Sequence, residues 1–266
     1  MKVVYVADVG NSRIKWGRCG PERVEEVASL PAEDASAWER KIQEWPFVGL
    51  PWAVSGVHPE RVGRLTAWLQ QRGQIVIALT SWLQLPLRIS VDFPSQVGMD
   101  RLLNAVAAKH RVQREVPIVI IDAGSAVTVD WVDDTGAFRG GAIFPGFGLM
   151  AKALHTYTAQ LPEIDVPPPA NPPLPGANTR AAIEAGVFWA AAGGVRALIR
   201  QFIGLPSPGR RVLRRQFVGL PSIGPPPEVF LTGGDANVLA AVLETGICLW
   251  PEMTLEGIRL TAESLP

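Results

Sequence analysis

The chain has 266 residues, enough for one large domain or two modest ones with substantial cores. Its 25 basic and 25 acidic side chains cancel, which removes any electrostatic case for binding nucleic acid or an anionic membrane surface. A hydrophobic content of 47% with 19% charged residues excludes disorder over most of the chain, and the apolar runs, short and broken by Gly, Pro or charge, predict no transmembrane helix.

The first element is a strand that stops at a turn and returns. Val3 to Gly17 reads V-V-Y-V-A-D-V-G-N-S-R-I-K-W-G, with β-branched residues on both sides of Asp8-Val9-Gly10-Asn11-Ser12. A turn with a carboxylate, a glycine and small polar residues lets backbone N–H groups approach a phosphate, while Asp8 can hold the accompanying Mg²⁺. Asp-x-Gly-Asn is also an ordinary hairpin turn. Met1-Lys2 leads straight into this strand, so no signal peptide is expected.

A third strand is expected over 23–30, then a helix over 34–44 with Ala35, Trp38 and Ile42 near one face. A strand over 52–57 precedes a helix over 59–72, with Pro59 suited to its first turn and Leu65, Trp68 and Leu69 as its apolar stripe. Ile75–Leu79 is another strand. The order βββαβαβ is half of a mixed α/β fold.

Gly98-Met99-Asp100-Arg101 reads as a loop feeding a helix. Asp100 there either complements the helix dipole or, beside Arg101, engages a hydroxyl nucleophile and an anionic substrate. Ile118 to Trp131 repeats the opening theme: an apolar strand, Asp122-Ala123-Gly124-Ser125, and a second β-rich run. Two like hairpins opening two halves, 1–115 and 116–266, suggest a duplicated fold gripping the phosphates of a nucleotide.

Gly140 to Gly146 ends a strand and starts a helix reaching Tyr157; its glycines either relieve crowding or admit a ligand close to backbone. The proline-rich stretch 161–175 predicts an extended surface loop, and Asn178 is suited to cap a long helix beginning at Thr179. A strand over 228–231 runs into Thr232-Gly233-Gly234-Asp235, either a turn under an adenosine or a plain strand-to-helix turn. Residues 196–209 recur as 211–224 with ten of fourteen positions identical, which reads as a tandem duplication and makes 205–226 a surface-loop insertion. Cys19 and Cys248 match no metal spacing and are expected as reduced thiols of a cytoplasmic protein; His58, His110 and His155 also lack ligand spacing.

Taken in order, these segments resemble the type III pantothenate kinases, within the acetate kinase/sugar kinase/Hsp70/actin superfamily. The resemblance rests on Asp8–Lys15, Gly98–Arg101, Asp122–Thr128, Gly140–Gly146 and Asn178-Thr179, five short motifs in the family's order. It implies two duplicated ribonuclease H-like mixed sheets flanked by helices, with an ATP cleft between the halves. It implies transfer of a phosphoryl group from ATP to pantothenate, the first step of coenzyme A synthesis.

By the same resemblance Asp8, Val9, Gly10, Asn11, Ser12, Arg13, Ile14 and Lys15 bind ATP phosphates and Mg²⁺. Gly98, Met99, Asp100 and Arg101 contact pantothenate, with Asp100 the general base. Such a base needs only an ordinary carboxylate pKa, and a helix start would keep Asp100 ionised. Asp122 would hold K⁺ or NH₄⁺, Ser125 would contact ATP, and Thr179 would reach pantothenate across a homodimer interface. Three departures from the family pattern are Ser125 for Thr, Met99 for a small residue, and Val91 for an aromatic substrate contact that Phe93 could replace. The alternatives are a sugar kinase of the same superfamily, which the Gly98–Arg101 segment disfavours, and a non-catalytic regulatory protein on this fold. P-loop and protein-kinase motifs are absent.

Overall fold

The computed structural model describes residues 2–10, 13–45, 49–203, 226–243 and 246–266. Asn11, Ser12 and residues 204–225, which take in most of the duplicated segment and nearly all of the expected insertion 205–226, lie outside the described residues. The chain forms two compact units, 1–111 with 252–266, and 112–251.

In the first unit β1 (Tyr5–Val9), β2 (Arg13–Cys19) and β3 (Val24–Pro31) form an antiparallel meander. Two strands parallel to β1, namely β4 (Pro51–Gly56) and β5 (Ile75–Leu79), complete the order β3-β2-β1-β4-β5. Helices α1 (Ala35–Glu44) and α2 (Pro59–Gln70) cover one face. Asp34 starts α1 by accepting the N–H groups of Ser36 and Ala37 at 2.9 and 3.1 Å, and Pro59 opens α2 where its missing donor costs nothing. The core beneath them is aromatic: Tyr5 stacks on Trp52 at 4.7 Å, and Trp16 meets Trp52 edge-on at 5.1 Å. Ala35, expected on the buried face of α1, is exposed; Ala37 takes that place beside Trp38 and Ile42. A two-residue strand, β6 (Arg88–Ile89), and a short 3₁₀ turn at Pro94–Gln96 lead to α3 (Met99–Arg111).

The second unit repeats the plan. Strands β7 (Ile118–Ala123), β8 (Ala126–Val132) and β9 (Ala137–Pro145) form its meander, and β10 (Glu228–Thr232) and β11 (Ile247–Leu249) run parallel to β7. The order β9-β8-β7-β10-β11 matches the first unit strand for strand. The duplication read from the two hairpins therefore extends to five strands in each unit.

Helices α4 (Phe147–Tyr157) and α5 (Thr179–Ile203) pack on one face of this sheet, and α6 (Ala236–Ala240) follows β10. Asn178 caps α5 as expected, its Oδ1 accepting the N–H of Ala181 at 2.9 Å. The loop before it is extended but anchored, with Ile164 buried in the core. By length and apolarity α5 could cross a membrane, contrary to the expectation from interrupted runs. Here Ile183, Val187, Phe188, Ala191, Ala192 and Val195 are spent on the core of the unit.

The last helix, α7 (Met253–Ser264), was not foreseen, and it belongs to the first unit rather than to the half in which the sequence division at 115/116 put it. Nine of its twelve residues are buried, four of them polar. Glu256 accepts the backbone N–H of Val24 at 2.6 Å and a bond from Arg259 at 2.8 Å, and Arg259 also donates to the Glu22 carbonyl at 2.8 Å. Removing one partner of such a buried pair costs about 3–5 kcal/mol, so the cluster fixes where the helix docks. Cys19 lies against this cluster, and burial pushes its thiol up to about 12, which disfavours the reactive thiolate.

Gly257 brings α7 onto α3: a Cβ there would fall 2.0 Å from the carbonyl oxygen of Leu103. Alanine normally stabilises a helix interior over glycine by about 1 kcal/mol. The overlap reverses the sign, so Gly257→Ala should destabilise by about 1–3 kcal/mol in urea unfolding. Unchanged or increased stability would show that α7 does not dock this closely.

Candidate active site

The first turn is seated from two sides. The N–H of Gly10 donates to the carbonyl of Arg13 at 3.0 Å, closing the hairpin. On the parallel side, Gly56 lies so near that a Cβ would be 2.3 Å from the Val9 carbonyl oxygen, and the N–H of Val57 donates to that oxygen at 3.3 Å. Val9 and Ile14 are fully buried in the aromatic core, so they offer a ligand only their backbones. Arg13 is drawn back onto β3, where its Nε donates to the Ser29 hydroxyl at 2.7 Å.

Asp8 pairs in register with Lys15 on β2 and with Ser55 on β4. Alternation along the strands puts these three on the face opposite the aromatic core. That is the face α7 covers: a Cβ on Gly17 would meet both Val6 and Leu255. A cavity of about 340 Å³ lined by Glu33, Trp38, Arg64 and Trp68 lies on the other side, among α1 and α2, away from these residues.

Asp100 sits in the first turn of α3, with one carboxylate oxygen accepting the backbone N–H of Arg101 at 2.8 Å. Gly98 makes room for it, because a Cβ at position 98 would lie 2.5 Å from that same oxygen. The expectation of an ordinary carboxylate needs correcting. Burial pushes the Asp100 carboxyl above its usual value, and the Arg101 N–H and charge pull it back only part of the way. Met99 and Arg101 are half-buried beside it.

The second turn has the same construction. Asp122 is the penultimate residue of β7, as Asp8 is of β1, and the N–H of Gly124 donates to the Ala126 carbonyl at 3.1 Å. Gly233, with φ +101°, plays the part of Gly56: its Cβ would be 2.3 Å from the Ala123 carbonyl oxygen, which also accepts the N–H of Asp235 at 2.9 Å. Gly146 closes the third side, its N–H donating to the Ser125 carbonyl at 3.0 Å and its missing Cβ sparing the Gly124 oxygen. Gly141 abuts the β8 backbone and the buried Asp130 carboxylate, so crowding accounts for that glycine. Ser125 is exposed at the tip of the turn, and Thr179 is exposed at the start of α5.

Two pairs of residues lying beside these turns in the same register, Ser55-Gly56 and Thr232-Gly233, are structurally equivalent. The first was missed in the sequence, although a hydroxyl residue and a glycine ending an apolar strand were visible in both places.

A family model described as type III pantothenate kinase matches residues 4–201. A type III pantothenate kinase of Acidiphilium cryptum is 35% identical over 275 residues, covering 97% of this chain and 93% of that protein. One from Porphyromonas gingivalis is 30% identical over 265 residues and covers 99% of both. Among solved structures, a Campylobacter jejuni protein assigned to the Baf family of transcriptional activators superposes with a TM-score of 0.59 at 18% identity, over 97% of each chain. A Sinorhizobium meliloti protein assigned as a 2-dehydro-3-deoxygalactonokinase does so with 0.56 at 13% identity, over 98% of each. At these identities the two structures speak for the shared fold alone.

The raised Asp100 pKa has a consequence for stability. The folded state holds this proton more tightly than the unfolded chain, so the ionised carboxylate opposes folding at neutral pH. That opposition fades as pH falls through the raised pKa and is gone below the ordinary value of 3.8. Asp100→Asn, which keeps an oxygen for the Arg101 N–H, should therefore melt at or above the wild-type temperature at pH 7. Its advantage should shrink on acidification. A variant that melts lower at pH 7 and recovers toward wild type in acid would mean the carboxylate stabilises the fold and its pKa is depressed.

Proposed function

This chain belongs to the type III pantothenate kinase family, and from that premise we infer how its own residues carry the family's reaction. The reaction is phosphorylation of pantothenate by ATP to 4'-phosphopantothenate, at the start of coenzyme A biosynthesis. The observation that supports the assignment of roles is the recurrence of one Asp-x-Gly turn, at Asp8 and at Asp122, in the same place of two copies of one sheet.

The Asp8–Lys15 segment binds the ATP phosphates, with the backbone at Gly10 and the Lys15 ammonium supplying positive potential. Asp8 fits Mg²⁺ as a single carboxylate beside a phosphate-binding turn, the usual way this ion is shared between protein and nucleotide. Ser125 contacts ATP, and Asp122 holds a monovalent cation, K⁺ or NH₄⁺. When bound, these cations neutralise charge on the transferring phosphoryl group.

Gly98, Met99 and Arg101 bind pantothenate, Arg101 pairing with its carboxylate. Asp100 takes the proton of the primary hydroxyl as its oxygen bonds to the γ-phosphorus and the bond to the β-phosphate oxygen breaks, releasing ADP. A partly desolvated carboxylate is a stronger base than one in water, which suits this step.

The working unit we propose is a homodimer in the cytoplasm, with Thr179 reaching pantothenate bound to the neighbouring chain. Two features support it. Thr179 is exposed, and α5 carries Ala182, Gly186, Ala190 and Gly193 as an exposed stripe of small residues on the side away from its core contacts. A second helix could approach such a stripe closely.

Purified protein should phosphorylate pantothenate, and none of a panel of sugars, in a coupled assay with ATP, Mg²⁺ and KCl. Asp100→Asn should lower kcat by on the order of 10²-fold or more. Turnover on a sugar alone, or near-normal turnover by the variant, would overturn the reading. For the dimer, subunits of Asp100→Asn mixed with subunits of an inactive Thr179→Trp variant should regain activity through one intact site per heterodimer. A monomeric mass in light scattering with full activity would exclude composite sites.

A further inference from the structure

On β7, Val119, Ile121 and Ala123 face the core of the second unit, so Asp122 faces the other way. Its register neighbours on both sides are threonines, Thr128 on β8 and Thr232 on β10. Thr128 lies between the core-facing Val127 and Val129, and Thr232 follows the core-facing Leu231, so both share the face of Asp122. Thr128 is 9% and Thr232 1% exposed, and among the described residues neither hydroxyl oxygen has a hydrogen-bond partner. Other threonines also leave a hydroxyl unpartnered, Thr66 and Thr261 among them. What sets this pair apart is that the two hydroxyls flank one carboxylate.

A buried hydroxyl with no partner opposes folding, and valine would fill either position without that cost. The first unit shows what such a place can hold. There the residue opposite the aspartate is Lys15, and the neighbour on the parallel strand, Ser55, is satisfied by donating to the Leu79 carbonyl at 2.7 Å. The duplicated fold thus carries an ammonium group opposite Asp8, and a neutral hydroxyl opposite Asp122. A free monovalent cation of ammonium-like size restores at the second turn the charge that lysine supplies at the first.

We propose that Thr128 and Thr232 are cation ligands, their hydroxyl oxygens flanking the Asp122 carboxylate to form, from three adjacent strands, an oxygen cradle for K⁺ or NH₄⁺. Spacing favours a large ion. Two oxygens on one Mg²⁺, each roughly 2.0–2.1 Å from it, lie at most about 4.2 Å apart, less than the roughly 4.7–4.9 Å between neighbouring strands, whereas a larger ion can bridge that spacing. One carboxylate with two neutral hydroxyls also matches a single positive charge.

This inference rests on the reading of Asp122 as a monovalent-cation ligand, and the experiment separates the two. Melting of the full chain, with a non-hydrolysable ATP analogue and Mg²⁺, is followed as KCl replaces NaCl at constant ionic strength. A thallium(I) NMR titration reads the same site directly. Wild type should be stabilised saturably by K⁺. Thr128→Val and Thr232→Val should each need about tenfold more K⁺ or greater, and the serine variants should stay near wild type. In NaCl the valine variants should melt no lower than wild type, because each loses an unpartnered hydroxyl. Should a valine variant fail to fold, the alanine variant carries the same comparison. Valine variants with the wild-type K⁺ response would overturn the inference and leave Asp122 standing. A wild type indifferent to K⁺ and thallium(I) would overturn both.

Discussion

Gly56 and Gly233 leave no room for a side chain, and the two aspartate turns depend on that. Gly56 ends β4 and Gly233 directly follows β10, the strands parallel to those bearing the aspartates, and each presses its backbone against the carbonyl of the residue after the aspartate, Val9 or Ala123. A methyl group at either place would overlap a carbonyl oxygen by more than an ångström, with backbone rather than a flexible side chain on the far side. The turns are thereby set by main-chain contact with a neighbouring strand, before any side chain of the site contributes. The groups an active site needs in fixed positions, backbone N–H donors and a short carboxylate, are the ones this arrangement fixes.

The two turns then diverge in what they carry. Lys15 on one and Thr128 on the other stand at the same register position, and the second turn is one residue shorter between its strands. A shared scaffold with different side chains is how a duplicated fold assigns different work to its halves. Asp100 stands apart from this symmetry, on a helix, with Gly98 rather than a strand neighbour making its room.

Much of the fold was legible because its strands advertise themselves. β-branched runs broken at Asp-x-Gly fixed the hairpins, and Asp34, Pro59 and Asn178 marked helix starts through capping chemistry that is local in sequence. The last helix was not legible, for a physical reason. Buried Glu256, Arg259, Thr254 and Thr261 interrupt the apolar period that betrays an amphipathic helix, and their partners Val24, Glu22 and Asn104 lie more than a hundred residues away. The Asp100 carboxyl shows the same limit. A helix start, visible in sequence, argues for a low pKa, whereas burial, invisible there, pushes it up and prevails. Ser55-Gly56 was overlooked because a single glycine after a strand has no meaning until the strand beside it is known.

The central proposal is that each of the two aspartate turns is a nucleotide-contacting turn. Hydrogen–deuterium exchange of the full chain with and without ATP and Mg²⁺, with Asp100→Asn used to prevent turnover, tests it most directly. Peptides covering residues 8–15 and 122–128 should both gain protection, over the same range of nucleotide concentration. Protection confined to one of the two, or found in neither, would contradict the account.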